Sequence, residues 1–441
     1  MTTFSDFDLP AAVLAELAAQ GFTAPFPIQS ATLPDTLRGR DVLGRGRTGS
    51  GKTLAFSLPL VSRLAGETSR RRRPRGLVLV PTRELATQVE AVIAPLARAV
   101  GLRATTVFGG VSQARQVRAL DAGVDIVVAC PGRLEDLIGQ GAVDLGDVEI
   151  TVLDEADHMA DLGFLPGVRR VMDRTPPSGQ RLLFSATLDN GVDVLVRRYL
   201  DKPLHHAVDS EASPVQAMTH HFFAVRDAAV KKDVVHRLAS GMGRRILFTR
   251  TKHQARRLAR QLTSAGIPAV DLHGNLSQNA RERNLAAFTG DGARVLVATD
   301  IAARGIHVDD VELVVHVDPP AEHKAYLHRS GRTARAGSGG DVITIVLPEQ
   351  QGDARTLARR AKISVRPVEV GPEDEIITRL VGEVAPHVAP APPAQSPPRQ
   401  GGGGQRPGSG GAPRRGGSRP GQRRRRSASR GGARTGAPAG R

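Results

Sequence analysis

The chain has 441 residues with 61 Lys and Arg against 44 Asp and Glu, a formal charge of +17, and one cysteine, Cys130. Single cores stop growing near ~250–300 residues, so this length predicts two domains and a tail. One cysteine excludes an intrachain disulfide, and no apolar run approaches the ~20 residues of a membrane span. The opening stretch Met1 to Pro10 lacks a basic start followed by an apolar run, so a cytoplasmic protein without a secretory signal is expected.

In chain order, Asp41-Val-Leu43 reads as a strand. Gly76 to Val80, Asp125 to Val128 and Val148 to Leu153 read likewise, and amphipathic helical stretches separate them. Arg245 to Phe248, Ala293 to Ala298 and Val342 to Leu347 continue the pattern. Short Val/Ile/Leu runs spaced by helices predict parallel sheets covered on both faces, an α/β fold. The polar segment Asp209-Ser-Glu-Ala-Ser-Pro214 predicts the break between domains. The expected division is a first domain at 1–206, a linker at 207–216, a second domain at 217–372 and a short helical extension at 373–384. A basic tail follows at 385–441. From His387 to Arg441 there are 12 arginines and no acidic residue, so taking these from +17 leaves only +5 for the rest. Pro, Gly, Arg and Ser dominate that tail, which cannot bury enough apolar surface to offset ordering entropy, so disorder is expected.

The strand at Asp41 runs into Gly46-Arg-Thr-Gly-Ser-Gly-Lys-Thr53 and then a helical stretch. This is a P-loop pattern. Thr48, Gly49, Ser50 and Gly51 would curl backbone N–H groups around phosphate oxygens, Lys52 would neutralise the β- and γ-phosphates, and Thr53 would ligate Mg²⁺. A second apolar strand delivers Asp154-Glu-Ala-Asp157. Asp154 at a strand end suits Mg²⁺ held partly through water, and Glu155 suits orientation of an attacking water.

The tetrad Asp154-Glu-Ala-Asp157 resembles the name-giving motif of the DEAD-box RNA helicases, and further elements of that family follow in order from about Phe4 to about Pro348. The resemblance implies two RecA-like parallel-sheet domains in tandem. Gly21-Phe-Thr-Ala-Pro-Phe-Pro-Ile-Gln29 is similar to the Q motif, implying that Gln29 selects adenine and Phe22 stacks on the base. Three segments resemble those that hold the RNA backbone: Pro81, Thr82 and Arg83; Gly109 and Gly110; and Pro131, Gly132 and Arg133. Ser185-Ala-Thr187 resembles the element coupling hydrolysis to unwinding, together with Asp157 and His328. In the second half, Arg250, Gly274, Gln278, Arg281 and Thr299 are similar to RNA-binding positions, and Gly305 to a nucleotide contact. His328-Arg-Ser-Gly-Arg-Thr-Ala-Arg335 resembles the arginine-finger motif, implying that Arg332 and Arg335 reach the γ-phosphate.

Three departures stand out. His307 replaces an Asp that commonly contacts the ribose, which implies either weaker ATP affinity or a substitution that the family tolerates. Cys130 replaces a Thr before Pro131, exchanging a good hydroxyl donor for a weak thiol. Ala334 replaces a frequent Gly. The resemblance therefore implies an ATP-dependent RNA helicase using ATP and Mg²⁺. Two alternatives are a DNA translocase with the same core and an RNA chaperone acting through the Arg-Gly-Gly tail.

Overall fold

The computed structural model describes residues 2–46, 49–188, 190–208, 218–303, 308, 310–333 and 340–389. Most of the expected linker and nearly all of the basic tail lie outside the described residues. Seven strands form the first sheet: β1 Val42–Arg45, β2 Gly76–Leu79, β3 Ala104–Val107, β4 Ile126–Ala129, β5 Ile150–Asp154, β6 Gln180–Ser185 and β7 Leu204–Ala207. Seven more form the second: β8 Met218–Ala224, β9 Arg244–Phe248, β10 Ala269–Leu272, β11 Val295–Ala298, β12 Val311–His316, β13 Gly340–Val346 and β14 Val368–Glu369.

The first sheet runs β3-β4-β2-β5-β6-β1-β7 and the second β10-β11-β9-β12-β13-β8-β14, every neighbour pair being parallel. Strand for strand the two orders are the same, so the chain uses one α/β architecture twice. Alternation along the strands explains why the apolar runs are continuous. Val78, Val128, Val152 and Phe184 enter one core cluster of the first lobe, while Leu77, Leu79, Val127, Leu153 and Leu183 enter the other. Both faces are covered, and each strand must be apolar on both sides. The second lobe divides in the same way, with Ile246, Val314 and Val342 on one face and Leu247, Val315 and Ile343 on the other.

Parallel pairing also sends every carboxyl end of a sheet to the same edge, where ligands of open α/β sheets bind. The loops after β1, β2, β3 and β4 and the ends of β5 and β6 carry the P-loop, Pro81–Arg83, Gly109–Gly110, Pro131–Arg133, Asp154 and Ser185. Those after β9, β10 and β11 carry Arg250, Gly274 and Thr299. At the opposite end of the second sheet, the fully buried Arg245 donates to the Val381 carbonyl at 2.8 Å, tying in the helix Glu375–Val381. No helix among the described residues is long and apolar enough to cross a membrane.

The second core holds a titratable group. His316 is fully buried at the end of β12, with Nδ1 3.1 Å from the Thr344 hydroxyl and its ring edge-on to Tyr326 at 4.8 Å. Burial, with the charges of Arg329 and His220, holds its pKa well below 6.5. The folded lobe therefore excludes a proton that the unfolded chain binds, so this stability is present above 6.5 and is lost as pH falls toward the depressed folded value. Between pH 7.5 and pH 5, β12 in wild type is expected to lose up to about 2 kcal/mol of hydrogen-exchange protection relative to His316→Phe. Equal losses in both proteins would refute this.

Candidate active site

The glycine-rich loop leaves β1 at Gly46 and enters the helix Lys52–Leu64 through Gly49 and Gly51, whose φ values are 86° and 89°. These left-handed turns are open to glycine at little cost. Gly51 is also required by space, because a Cβ there would stand 2.6 Å from Gln29 Nε2 and 2.9 Å from Phe26 Cδ2. Lys52 is 5% exposed, and its Nζ donates to the Gly46 carbonyl at 2.9 Å and to Glu155 Oε1 at 3.0 Å. Burial works against its charge, but the carboxylates of Glu155, Asp154 and Asp157 together raise its pKa above the ordinary lysine value. Among the described residues the Ser50 hydroxyl is buried without a hydrogen-bond partner, and Thr53 sits half-buried in the first helical turn. Both fit a loop shaped around an anion.

Asp154 ends β5 and is buried, and burial pushes its carboxyl above the ordinary range against the pull of Lys52. Glu155 follows at φ 52°, a left-handed conformation costing a non-glycine residue roughly 1–3 kcal/mol, which surrounding structure must sustain. That turn starts the helix Ala156–Asp161 and aims the Glu155 carboxylate at Lys52. Asp157 Oδ2 accepts from the Thr187 backbone N–H at 3.0 Å and its hydroxyl at 3.1 Å. The Ser185 hydroxyl accepts from Asp157 N–H at 3.2 Å and donates to the Thr187 carbonyl at 2.7 Å. The strand-end acids and Ser185-Ala-Thr187 are thus one hydrogen-bonded unit.

Gln29 has a use that the motif alone does not reveal. Its Nε2 donates to the Gly51 carbonyl at 2.9 Å and its Oε1 accepts from Phe26 N–H at 2.8 Å, locking the start of the helix Pro27–Leu37 to the P-loop. One N–H and one lone pair of the amide remain for a base. Phe22 is half-buried against the core of the first lobe, while Phe26 is 48% exposed beside Gly51. Sequence reasoning selected Phe22 and passed over Phe26, whose exposure depends on the fold.

Along the same edge, the Arg83 guanidinium lies on Gly110, where a Cβ would meet its Nη1 at 1.9 Å. Thr82 caps the helix Arg83–Ala99 by accepting from Leu85 N–H at 3.3 Å, and Pro81 is buried at its start. Pro131 is buried at the start of the helix Pro131–Gly139, and open space lies around Gly132. Arg133 Nε stands 3.9 Å from Asp136 Oδ2, and its Nη1 is buried without a hydrogen-bond partner among the described residues.

In the second lobe, Arg250 and Gly274 are exposed and Thr299 is half-buried. Gln278 and Arg281 meet the first lobe. Arg281 Nε donates to Glu84 Oε1 at 2.6 Å, and Arg83 Nη1 to Gln278 Oε1 at 3.4 Å. Arg281 also reaches the carbonyls of His273 and Ala302 at 3.4 and 3.3 Å. The His328 ring stands edge-on to that of His158, with centroids 4.6 Å apart and planes at 72°. Arg332 is 4% exposed, and its Nε donates to the His328 carbonyl at 3.3 Å.

Sequence reasoning missed Arg329. It grips Asp300 with a two-pronged contact at 2.5 and 2.8 Å, donates to the Asp318 carbonyl at 2.8 Å and lies over Phe248 at 5.2 Å. Its place inside the arginine-rich motif was a signal, but its partner lies 29 residues away. Thr48, Gly305, His307, Ala334 and Arg335 lie outside the described residues.

Cys130 is a free, half-buried thiol preceding Pro131. Burial first, then the Glu84 carboxylate, pushes it up to about 12. Since the thiolate is the nucleophile, alkylation by iodoacetamide at pH 8 is expected to run about a hundredfold slower than in the urea-unfolded chain. Equal rates by mass spectrometry would contradict the assignment.

A P-loop lysine facing a strand-end carboxylate, on one of two sheets of matching topology, defines a P-loop protein with tandem RecA-like lobes. Residues 26–195 match the DEAD/DEAH box helicase family model, and residues 230–337 match the helicase conserved C-terminal domain. The chain belongs to the DEAD-box helicase family. It is 42% identical over 361 residues to the DEAD-box ATP-dependent RNA helicase 3B, chloroplastic, of Zea mays, a match covering 80% of this chain and 48% of that protein. The chain thus spans about half the length of that curated relative. Among solved structures, S. cerevisiae Dbp5 bound to RNA and ADP BeF3 is similar with a TM-score of 0.76 and 27% identity, over 87% of this chain and all of that one. A DEAD box protein from Methanococcus jannaschii is similar at 30% identity and a TM-score of 0.50, over 83% of this chain and 99% of that one.

Proposed function

We propose that the protein is an RNA-dependent ATPase that closes its two lobes on ATP and a short single strand of RNA, and so pries local duplexes apart. The observation that carries this reading is the placement of Lys52, Glu155 and Asp157 in one buried network, on the sheet edge where the Arg83–Gln278 and Glu84–Arg281 contacts join the lobes. A ligand at the P-loop and a strand along that edge would each favour the same closed arrangement, which makes their binding mutually reinforcing.

In this reading Lys52 exchanges Glu155 for phosphate oxygens, and Glu155 orients the attacking water and receives its proton. Gln29 pairs with the adenine through its remaining N–H and lone pair. The buried strand-end carboxylate of Asp154 and the Thr53 hydroxyl are a hard oxygen donor set suited to Mg²⁺, which when bound neutralises triphosphate charge. Arg332 and Arg335 bring positive charge from the second lobe, so hydrolysis depends on closure. Arg83, Arg133 and Arg250, with the exposed or open Gly110, Gly132 and Gly274, offer charged donors and close backbone approach to a sugar-phosphate strand. The Arg-Gly-Gly tail adds sequence-tolerant RNA binding. The maize and yeast relatives, an ATP-dependent RNA helicase and a protein bound to RNA, point the same way. A cytoplasmic location belongs to the same proposal, supported by the lone unpaired cysteine, and cell fractionation tests it.

The deciding experiment compares ATP turnover of the full chain with single-stranded RNA, with DNA of the same sequence, and with neither. RNA alone is expected to stimulate. Equal stimulation by DNA, or none by either, overturns the reading.

A further inference from the structure

The Glu155 carboxylate divides its two oxygens. Oε1 takes Lys52 Nζ at 3.0 Å, and Oε2 stands 3.2 Å from Nδ1 of His158, one helical turn on. In the proposed reaction Lys52 is drawn to phosphate, and Glu155 then loses that tether at the moment its orientation matters. His158 lies on the helix that follows Glu155 and not on the P-loop, so its contact with Glu155 does not depend on the exchange. Its ring is buried, 2% exposed, and neither nitrogen has an aligned hydrogen-bond partner among the described residues. A buried imidazole with an unused donor calls for explanation. A small rotation of ring or carboxylate turns the 3.2 Å approach into a hydrogen bond.

The second lobe supplies the other half of the arrangement. The His328 ring packs edge-on against His158 at 4.6 Å, so the buried position of His158 is completed by a side chain that reaches it only when the lobes are together. The backbone assists from the first lobe: His158 N–H donates to Asp157 Oδ1 at 3.0 Å, and Asp157 is held by Thr187.

We propose that His158 is a positioning residue for Glu155: its Nδ1–H holds Oε2 while Lys52 is engaged with phosphate, and the His328 ring keeps it there only in the closed arrangement. Hydrolysis is thereby tied to closure through an imidazole as well as through the arginines. The proposal rests on the ATPase reading above, with Glu155 as the group that orients water.

The test uses the full chain as wild type, His158→Phe, His158→Ala and His158→Asn. ATP turnover is measured with saturating RNA, and RNA affinity with a non-hydrolysable ATP analogue. Phe keeps the ring contact with His328 and removes the donor, whereas Asn places an amide N–H near the position of Nδ1. Phe and Ala are expected to lower kcat about tenfold or more, with KM for ATP and RNA affinity within about threefold of wild type, and Asn to retain kcat within about threefold. A Phe variant with wild-type kcat makes the role one of packing and overturns the proposal. So does an Asn variant as slow as Phe, or a loss confined to KM or RNA affinity. If wild type hydrolyses ATP without RNA stimulation, the functional reading fails, and the same kcat ordering in the basal reaction still decides the role of His158.

Discussion

Replacing Glu155 by Gln is expected to lower RNA-stimulated ATP turnover by about 10²–10⁴-fold while ATP and RNA still bind. The substitution keeps volume and one carbonyl oxygen but removes the base. It also removes one member of a buried ion pair, because Lys52 Nζ lies 3.0 Å from Oε1 and both side chains are about 5% exposed. Losing that pair frees Lys52 for phosphate, so ATP affinity is expected to hold or rise as kcat falls. A rate deficit that appears in KM for ATP while kcat is unchanged would show that Glu155 serves binding and not the chemical step. The left-handed backbone adds no further cost, since Gln tolerates φ 52° no worse than Glu, so any fall in melting temperature is expected to come from the broken ion pair and to shrink when nucleotide engages Lys52.

Glu84→Gln is expected to weaken RNA binding in the presence of a non-hydrolysable ATP analogue by about a hundredfold or more, and to change nucleotide-free RNA binding much less. Glu84 and Arg281 are 6% and 11% exposed and meet at 2.6 Å across the lobes. Removing one partner leaves the other charge buried without compensation, which costs about 3–5 kcal/mol, and that cost falls on the closed arrangement alone. Arg281→Gln is expected to act similarly, and the double variant to recover part of the loss, because two amides can hydrogen-bond without a stranded charge. Strictly additive losses in the cycle would mean that each residue meets RNA independently.

Much of the chemistry was legible before folding was considered. The P-loop is a local object: glycines at 49 and 51 permit left-handed turns, a strand precedes them and a helix follows, and all of this lies within a dozen residues. Asp154 is legible for the same reason, since an apolar run that ends in an acid delivers that acid to the sheet edge. The strands were readable as well, because parallel sheets covered on both faces demand continuous apolar segments. His158 left a trace too: three residues beyond Glu155, it falls on the same helical face.

What the sequence by itself determined is therefore the conformation of segments and the chemical type of each site residue. Only the tertiary structure decided the partnerships. Arg281 looks like any basic helix residue until packing brings Glu84, 197 positions earlier, to its guanidinium. Gln29 resembles a base-reading amide, yet only the fold shows it bracing Gly51. The physical reason is that backbone preference and hydrophobic period depend on near neighbours along the chain, whereas a side-chain contact depends on which sheet edges and helices burial forces together.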